Sequence, residues 1–296
     1  MTTRMFLCAA VLMLGASCDI HNWDPDQHGD HYYPEPDCYY DHTAPGVPRG
    51  VHSVTGDESV RLSWEPTPDM DVAGYGVYWN DAAEGYYERI GTTTATTFYV
   101  RGLSNGSTYY FAVDAYDECG NSSDLSYETV YDTPRPAGYG LRTWEMSLYP
   151  GEAGIDFSRY SYGNAGMIVP WDDNGADLYL ERSGEELFLT ATAMDTDVLP
   201  WGRVESLDEV DWAPENGWVP GGSMMLAQSH AYLIWTWDNH FAKVLVTRVG
   251  SDSVTLDWAY QTDTGNPELA PPVGGAQPSR IMVKPVRSDG SSRERN

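Results

Sequence analysis

Apolar and polar residues alternate with a period of two along two parts of this chain. In the first part, short alternating runs are separated by Gly, Asn and Pro residues. Val60, Leu62 and Trp64, for example, fall on one face of their run. Period-two patterning between turn residues predicts β-strands that bury one face, as in a β-sandwich. The strands predicted here are Ser59–Trp64, Gly74–Trp79, Thr97–Val100 and Tyr109–Ala115.

The second part, beyond a short Pro- and Gly-containing linker at residues 133–138, is also rich in strand-like runs. The predicted strands are Ala176–Glu181, Glu186–Ala193, Ala231–Asp238, Phe241–Val249 and Ser253–Gln261. Turn residues separate the last three runs, which predicts an antiparallel meander. Only Ser206–Asp211 indicates a helical turn. We therefore expect an all-β fold, with a first sandwich followed by a second antiparallel β-sandwich or barrel-like domain.

Composition narrows the class of partner. The chain has 296 residues and 41% hydrophobic residues, enough for about two domains with cores of their own. Its formal net charge of -27 repels nucleic-acid phosphates and anionic lipid headgroups, so nucleic acid is excluded as an expected partner. The 11 Trp and 21 Tyr outnumber the 6 Phe, and such amphipathic rings suit half-exposed recognition surfaces.

The N-terminal segment has the order of a secretory signal peptide. Arg4 precedes an apolar run from Met5 to Leu14, small residues follow, and the run is too short to be a permanent membrane span. Residues 14–18, Leu-Gly-Ala-Ser-Cys, resemble the processing box of bacterial lipoproteins, although Leu stands one position further from the cysteine than that pattern prefers. The resemblance implies removal of residues 1–17 and a lipid-modified Cys18, hence a membrane-anchored protein of the bacterial cell envelope, periplasmic or surface-exposed. An ordinary cleaved signal with an incidental Cys18 is the alternative.

Residues 18–42 are expected to be an acidic tether. The segment from Asp19 to His42 holds seven carboxylates, three prolines and no lysine or arginine, and it lacks a periodic apolar pattern. Four histidines lie among these acids at spacings that match no defined metal site. They are His21, His28, His31 and His42.

Residues 43–134 resemble a fibronectin type III domain. The motifs that carry the resemblance are Val60–Trp64, Leu103–Tyr109 and Asp114–Asp117, the last followed by Gly120–Ser123. The resemblance implies an immunoglobulin-like sandwich of seven strands, with Trp64 as its buried tryptophan and Tyr109 as its corner tyrosine. It also implies a spacer or protein-interaction module that brings no catalytic residues.

The same resemblance bears on the cysteines. In this family the loop that would hold Cys119 lies at the end of the sandwich where the first strand begins, and Cys38 precedes that strand by a few residues. A Cys38–Cys119 disulfide is therefore implied for an exported protein, with two free thiols as the alternative.

Six tryptophans of the domain predicted over residues 135–270 are the candidate ligand-binding residues. Four lie in Pro- and Gly-rich segments, where sheet packing explains an indole less well, and two are placed with Leu233 on one face of a predicted strand. They are Trp171, Trp201, Trp212, Trp218, Trp235 and Trp237. Exposed indoles stack on sugar rings or hydrophobic ligands, so a glycan or a small molecule is a candidate ligand. Packing of the rings into the ends of the sandwich is the alternative, and the sequence favours it.

Acidic and histidine residues indicate no catalytic or metal site. Asp172–Asp177, with Asp195 and Asp197, offers oxygen ligands of the kind calcium takes, but the twelve-residue calcium loop with its terminal Glu is missing, so turn chemistry is the expectation. His230 and His240 lie at opposite ends of one predicted strand, too far apart to share a metal. No nucleophile elbow, HExxH, Walker A or CxxC motif is present, so we expect neither an enzyme nor a cofactor.

A weaker resemblance concerns the end of the second domain. Tyr232–Lys243, with the strand ending at Gln261, is similar to a family of secreted haem-scavenging β-sheet lipoproteins, and Ala153–Ser158 resembles that family's early strand. The resemblance implies haem as an alternative ligand, without placing axial histidines. Residues 271–296 are Pro-, Gly- and Ser-rich and are expected to form a flexible tail, with Ile281–Val286 as a candidate edge strand.

The sequence thus predicts a non-enzymatic cell-envelope lipoprotein that serves as a binding, interaction or structural module, with an envelope protein or a glycan as partner. The alternatives are a carbohydrate-binding accessory of a hydrolase and a carrier of haem or another hydrophobic ligand.

Overall fold

The computed structural model describes residues 38–128, 130–271 and 281–284, which belong to one compact unit, Cys38–Asn296. The signal peptide, Cys18, most of the acidic tether and most of the tail lie outside the described residues. No helix in the described ranges has the length and apolarity of a membrane span.

Seven strands form the first sandwich. They are β1 (His52–Gly56), β2 (Ser59–Ser63), β3 (Val72–Asn80), β4 (Glu88–Thr93), β5 (Thr97–Arg101), β6 (Tyr109–Asp117) and β7 (Val130–Asp132). One sheet has the order β1-β2-β5 and the other β4-β3-β6-β7, and all pairs are antiparallel.

The core of the first sandwich lies where the alternation predicts it. Val60 and Leu62 from one sheet pack with Val77 and Phe111 from the other. Trp64 is 5% exposed, and its ring centroid lies 5.4 Å from that of Tyr75. The Tyr109 hydroxyl accepts a hydrogen bond from Ser104 N–H at 3.0 Å, which fastens the loop before β6. Both aromatic residues therefore do what the family resemblance implies for them.

Eleven strands form the second part. They are β8 (Ala137–Trp144), β9 (Gly154–Ile155), β10 (Ile168–Val169), β11 (Leu178–Ser183), β12 (Glu186–Ala191), β13 (Asp197–Arg203), β14 (Val219–Pro220), β15 (Ser223–Met225), β16 (His230–Trp235), β17 (Phe241–Val249) and β18 (Ser253–Gln261). The helical elements are 3₁₀ helices at Pro150–Glu152, Phe157–Tyr162 and Leu207–Glu209 and a short α-helix, α1 (Gly163–Met167).

These strands make two antiparallel sheets, ordered β10-β9-β11-β12-β15 and β14-β13-β16-β17-β18-β8. The main core lies between them, where Leu178, Leu189 and Met224 meet Val244 and Leu256. The predicted meander of β16, β17 and β18 is confirmed, and the chain has the all-β, multidomain fold that the sequence predicts.

A second, smaller core covers the outer face of the six-stranded sheet. Leu233, Trp235 and Phe241 point to this face and pack under Val210, Leu269 and Met282 from chain segments that cross it. The segment 281–284 of the predicted tail is part of this cover, since Met282 N–H donates to the Gly265 carbonyl at 2.8 Å.

The linker predicted at residues 133–138 is a buried element. Thr133 and Arg135 are 0% and 2% exposed, and β8 begins at Ala137 as an edge of the six-stranded sheet. The Pro and Gly residues of this segment are typical of a solvated linker. In the structure Pro134 and Pro136 lie just before β8, and the strand begins immediately after them at Ala137.

Candidate functional site

The structure separates the six candidate tryptophans. Trp218 and Trp235 form an internal cluster with Phe241, with ring centroids 5.1 to 5.9 Å apart. Trp212 is half-buried and forms an isolated β-bridge with Glu268. Trp237 is half-buried in the turn after β16, so it does not extend the face of Leu233 and Trp235. Trp171 and Trp201 are the most exposed of the six, at 37% and 39%. The six residues are therefore not one binding surface.

Trp171 belongs to a different aromatic group, which we call the aromatic ridge: Trp144, Tyr149, Trp171 and Tyr179. The Trp144 and Tyr149 centroids are 4.8 Å apart, and those of Trp171 and Tyr179 are 5.8 Å apart. The backbone N–H of Trp171 donates to the Pro150 carbonyl at 3.0 Å, which places the two aromatic pairs side by side. Tyr149 is 43% exposed, so the ridge presents aromatic area to solvent.

The acidic run at residues 172–177 is engaged by protein groups. Asp173 accepts from Gly175 N–H at 2.8 Å, and Asp177 accepts from Phe157 N–H at 3.0 Å. Arg159 pairs with Asp156 at 3.1 Å and with Asp173 at 3.6 Å. Asp197 lies 3.8 Å from the ammonium of Lys284. These contacts are turn and ion-pair chemistry.

One other acidic group has ligand atoms close enough for a metal ion. Carboxylate oxygens of Asp41, Asp71 and Asp117 lie within 4.8 Å of one another. Asp117 already accepts from the backbone N–H groups of Cys119 and Asn121, at 2.9 and 2.8 Å, so its oxygens serve the turn at the end of β6. Beside this turn Cys38 and Cys119 are joined by a disulfide, with their Cα atoms 5.0 Å apart.

The two histidines of the second part are held by local contacts. His230 Nδ1 lies 3.0 Å from the Gln228 carbonyl. His240 lies in the turn between β16 and β17, where its Nε2 lies 3.2 Å from Thr264 Oγ1. The strand between them keeps the imidazoles apart, as the sequence predicts.

A buried cluster of charged side chains lies at the junction of the two sandwiches, around Arg135. Its guanidinium donates to the Glu268 carbonyl at 2.6 Å, to Glu268 Oε1 at 3.3 Å and to Thr55 Oγ1 at 3.2 Å. Asp132 Oδ1 lies 3.8 Å away. Because Thr55 and Asp132 belong to the first sandwich and Glu268 follows β18, one buried side chain ties the two sandwiches together.

Burial controls the proton affinity of these groups. Desolvation raises the pKa of Asp132 to about 6 and that of Glu268 to about 7, although Arg135 opposes both shifts. Thr133 holds the Glu268 carboxylate with its N–H, at 3.2 Å, and its hydroxyl, at 3.0 Å. The junction is a buried polar network in which the pKa values of two carboxyl groups, Asp132 and Glu268, are raised toward neutral pH.

A cavity of about 300 Å³ opens beside this network. Small and apolar residues, several carboxylates and the exposed ring of Tyr139 line it. The lining residues include Arg135, Ala137, Tyr139, Glu205, Asp208, Lys243, Asp257, Ala259 and Leu269. A concave site that combines an apolar floor with a few polar groups is the usual form of a small-molecule site.

Lys243 is the buried amine of this cavity and is 2% exposed. Its Nζ donates to the Leu207 carbonyl at 2.7 Å and to the Val210 carbonyl at 3.0 Å. Burial, assisted by the positive charge of Arg135, lowers its pKa to about 7. The sequence patterns did not point to Arg135, Lys243 or Glu268. The available signal was that Lys243 is the one charged residue in the apolar run Phe241–Val246 at the start of β17.

The first sandwich is matched by comparison with known proteins. The family model of the fibronectin type III domain matches residues 46–130. This sandwich is a fibronectin type III domain. A Fn3-like protein from Clostridium thermocellum is 26% identical, with a TM-score of 0.28, over 31% of this chain and 96% of that chain.

Curated relatives share the same part of the chain. An amylopullulanase of Thermoanaerobacterium saccharolyticum is 38% identical over 100 residues, which are 33% of this chain and 8% of the relative. The chitinase Chi52 of Paenibacillus xylanexedens is 37% identical over 108 residues, 34% of this chain and 20% of the relative. The chain thus spans a small fraction of these hydrolases, and the shared fibronectin type III domain is an accessory module in them, not a catalytic one.

Proposed function

We propose that this chain is a non-catalytic accessory protein of the bacterial cell envelope, held at the membrane by lipid on Cys18. In this proposal the fibronectin type III domain positions the C-terminal β-domain, which binds the ligand. The observation that carries the proposal is the buried Arg135 junction. A flexible spacer would need only a solvated connector, whereas this chain uses a guanidinium, two carboxylates and Thr133 to fix one sandwich against the other.

We propose a neutral glycan as the ligand, bound at the aromatic ridge. Aromatic faces stack on the apolar faces of pyranose rings, and the ridge places Tyr149 and Trp171 at the surface. Tyr179 donates to Glu181 Oε2 at 3.4 Å, which sets a carboxylate acceptor for sugar hydroxyls beside the rings. The shared module of an amylopullulanase and a chitinase supports a setting in which polysaccharides are present.

Binding is tested with the full-length protein in detergent and with insoluble polysaccharides. We expect the protein to be depleted from solution by at least one of pullulan-bearing resin and chitin, and Trp171→Ala to reduce the bound fraction at least tenfold. Tyr99→Ala is the matched control, because Tyr99 is a 56% exposed ring of β5 in the fibronectin type III domain. Equal retention of both variants, or none of the wild type on either matrix, contradicts the glycan proposal.

Anchoring is tested separately. Intact-mass analysis of the membrane fraction is expected to show acyl chains on a mature N-terminal Cys18, and Cys18→Ala to release the protein into the soluble fraction. An unmodified Cys18 in the membrane fraction contradicts the anchor and leaves the glycan test unaffected.

A further inference from the structure

The aromatic ridge continues into an outward-facing surface of the five-stranded sheet. Apolar side chains of β11, β12 and β15 point inward to the main core, namely Leu178, Leu180, Leu187, Leu189 and Met224. Successive side chains of a strand point to opposite faces, so the residues between these point outward. In the register of the sheet they form two rows, Tyr179–Thr190–Ser223 and Glu181–Phe188–Met225, which together we call the outer face.

Trp171 joins the ridge to the outer face. It follows β10, at the opposite end of the sheet from β15. Gly154 of β9 pairs with Tyr179, and a Cβ atom at position 154 would lie 2.6 Å from the Pro170 carbonyl oxygen. Glycine therefore allows the segment before Trp171 to pass close to β9, and the indole reaches Tyr179, with ring centroids 5.8 Å apart. Ridge and outer face thus form one surface that runs across the strands.

The hydroxyl groups of the outer face use their protons within that face. Thr190 Oγ1 donates to Glu181 Oε1 at 2.6 Å, and the Tyr179 hydroxyl donates to Glu181 Oε2 at 3.4 Å. Ser223 Oγ lies 3.2 Å from Glu181 Oε1 and also contacts Thr190 Oγ1, so either contact uses its proton. Each hydroxyl has one donor. The outer face therefore offers acceptor oxygens, and a ligand has to supply the donors.

Charge restricts the class of ligand further. The outer face carries the carboxylate of Glu181 and no lysine or arginine, and Arg182, the next residue of β11, pairs with Asp252 at 3.4 Å. A negative surface of this kind disfavours uronate and sulfated glycans. Sugar hydroxyls are uncharged donors. Half-buried Phe188 and Met225, which is 56% exposed, supply apolar area for the C–H faces of sugar rings.

The surface is long as well as narrow. Neighbouring strands lie about 4.8 Å apart, so Tyr179 and Ser223 are separated by about 10 Å. Trp171 extends this line by the 5.8 Å between its ring and that of Tyr179. An extended chain of several sugar units covers this distance, whereas a disaccharide at the ridge does not reach β15.

We propose that the glycan site extends from the aromatic ridge across the outer face, and that its ligand is an extended stretch of a linear, uncharged polysaccharide. This rests on the glycan-binding function proposed above and names the class of glycan. Sugar rings stack on Trp171 at one end and pack on Phe188 and Met225 at the other. Their hydroxyls donate to Glu181 and Ser223.

The test is isothermal titration of the full-length protein in detergent with two oligosaccharide series. One is maltose and maltohexaose, and the other is chitobiose and chitohexaose, both N-acetylated. In the series that binds, we expect the hexasaccharide to bind at least tenfold more tightly than the disaccharide, which exceeds the statistical gain from its additional registers. Ser223→Ala/Met225→Ala should weaken hexasaccharide binding at least fivefold and leave disaccharide binding within twofold, because only the longer ligand reaches β15. Trp171→Ala should weaken both.

The matched control is Ser183→Ala/Glu186→Ala, which changes two exposed residues of the same sheet at the turn between β11 and β12. It should leave both affinities unchanged, and thermal unfolding checks that both double variants fold. Equal affinities for the two ligand lengths, or equal losses in the two double variants, overturn the extended site. If neither hexasaccharide binds, the extended site is also overturned, and retention on pullulan-bearing resin or chitin then shows whether the glycan function itself stands.

Discussion

Arg135 illustrates how a single residue sets the relation between two domains. It is buried with two carboxylates near it, and its partners come from both sandwiches. Burying these charges is costly, and the hydrogen bonds and ion pairs that Arg135 makes offset part of that cost. The sequence showed Arg135 only as part of Thr-Pro-Arg-Pro-Ala-Gly, where a solvated arginine is the ordinary expectation. Its burial depends on Glu268, more than 130 residues later, and local pattern carries no such information.

Removing the Glu268 carboxylate is expected to leave buried hydrogen-bond donors without their acceptor. We predict that Glu268→Ala lowers the free energy of unfolding by about 3–5 kcal/mol, because Arg135 loses one of its two carboxylates and the buried Thr133 N–H loses its acceptor. Glu268→Gln keeps acceptors for Thr133 and should cost less. The measurement is urea denaturation followed by tryptophan fluorescence, with exposed Glu215→Ala as the control, which should change stability by less than about 0.5 kcal/mol. Equal effects of Glu268→Ala and Glu215→Ala would contradict the assigned role.

At the scale of elements, strands with clean alternation were predictable and strands with turn residues were not. The bounds of β17 and β18 agree with the predicted runs Phe241–Val249 and Ser253–Gln261. β13 contains Pro200 and Trp201 and resembled a loop, yet it pairs with β16 through a bulge after Pro200. β8 begins in the predicted linker and pairs with β18 across another bulge. Bulges interrupt the period of two, so alternation cannot find such strands.

The pairing of β8 with β18 depends on a close approach at Gly138. A Cβ atom there would lie 2.6 Å from Trp258 Nε1, which donates to Asn164 Oδ1 at 2.9 Å. We predict that Gly138→Ala lowers the free energy of unfolding by about 1–3 kcal/mol through overpacking. Gly151→Ala is the matched control, since a Cβ at Gly151 meets nothing within 4 Å. Thermal unfolding compares the two variants, and a stability loss shared by both would show that the Trp258 contact is not the cause.

The Cys38–Cys119 disulfide links the segment before β1 to the turn after β6, across a sequence separation of 81 residues. On the chain-entropy model a loop of this length contributes about 4–5 kcal/mol. We predict no reactive thiol at either position in the native exported protein. We also predict that Cys119→Ser lowers the denaturant midpoint by an amount corresponding to most of that energy. Thiol titration in urea with and without reductant measures the first, and a Cys119→Ser midpoint equal to that of the wild type would contradict the second.

The junction also gives the whole molecule a characteristic pH dependence. The folded pKa values of Asp132, about 6, and Glu268, about 7, lie above their ordinary values of 3.8 and 4.5. The folded state therefore binds more protons than the unfolded state between those values, and stability falls as pH rises from about 4.5 to 7. Lys243 has the opposite sign of proton linkage. Its folded pKa of about 7 lies below 10.5, so the unfolded state binds more protons above pH 7, and stability recovers as pH rises further.

We therefore predict a shallow minimum of stability near pH 7, measured as the urea midpoint from pH 4.5 to 9.5. Glu268→Gln should flatten the falling limb, and Lys243→Met should flatten the rising limb. Each variant thus serves as the control for the other limb. A wild-type profile with its maximum at pH 7 would show that these groups do not carry their shifted pKa values in the folded protein.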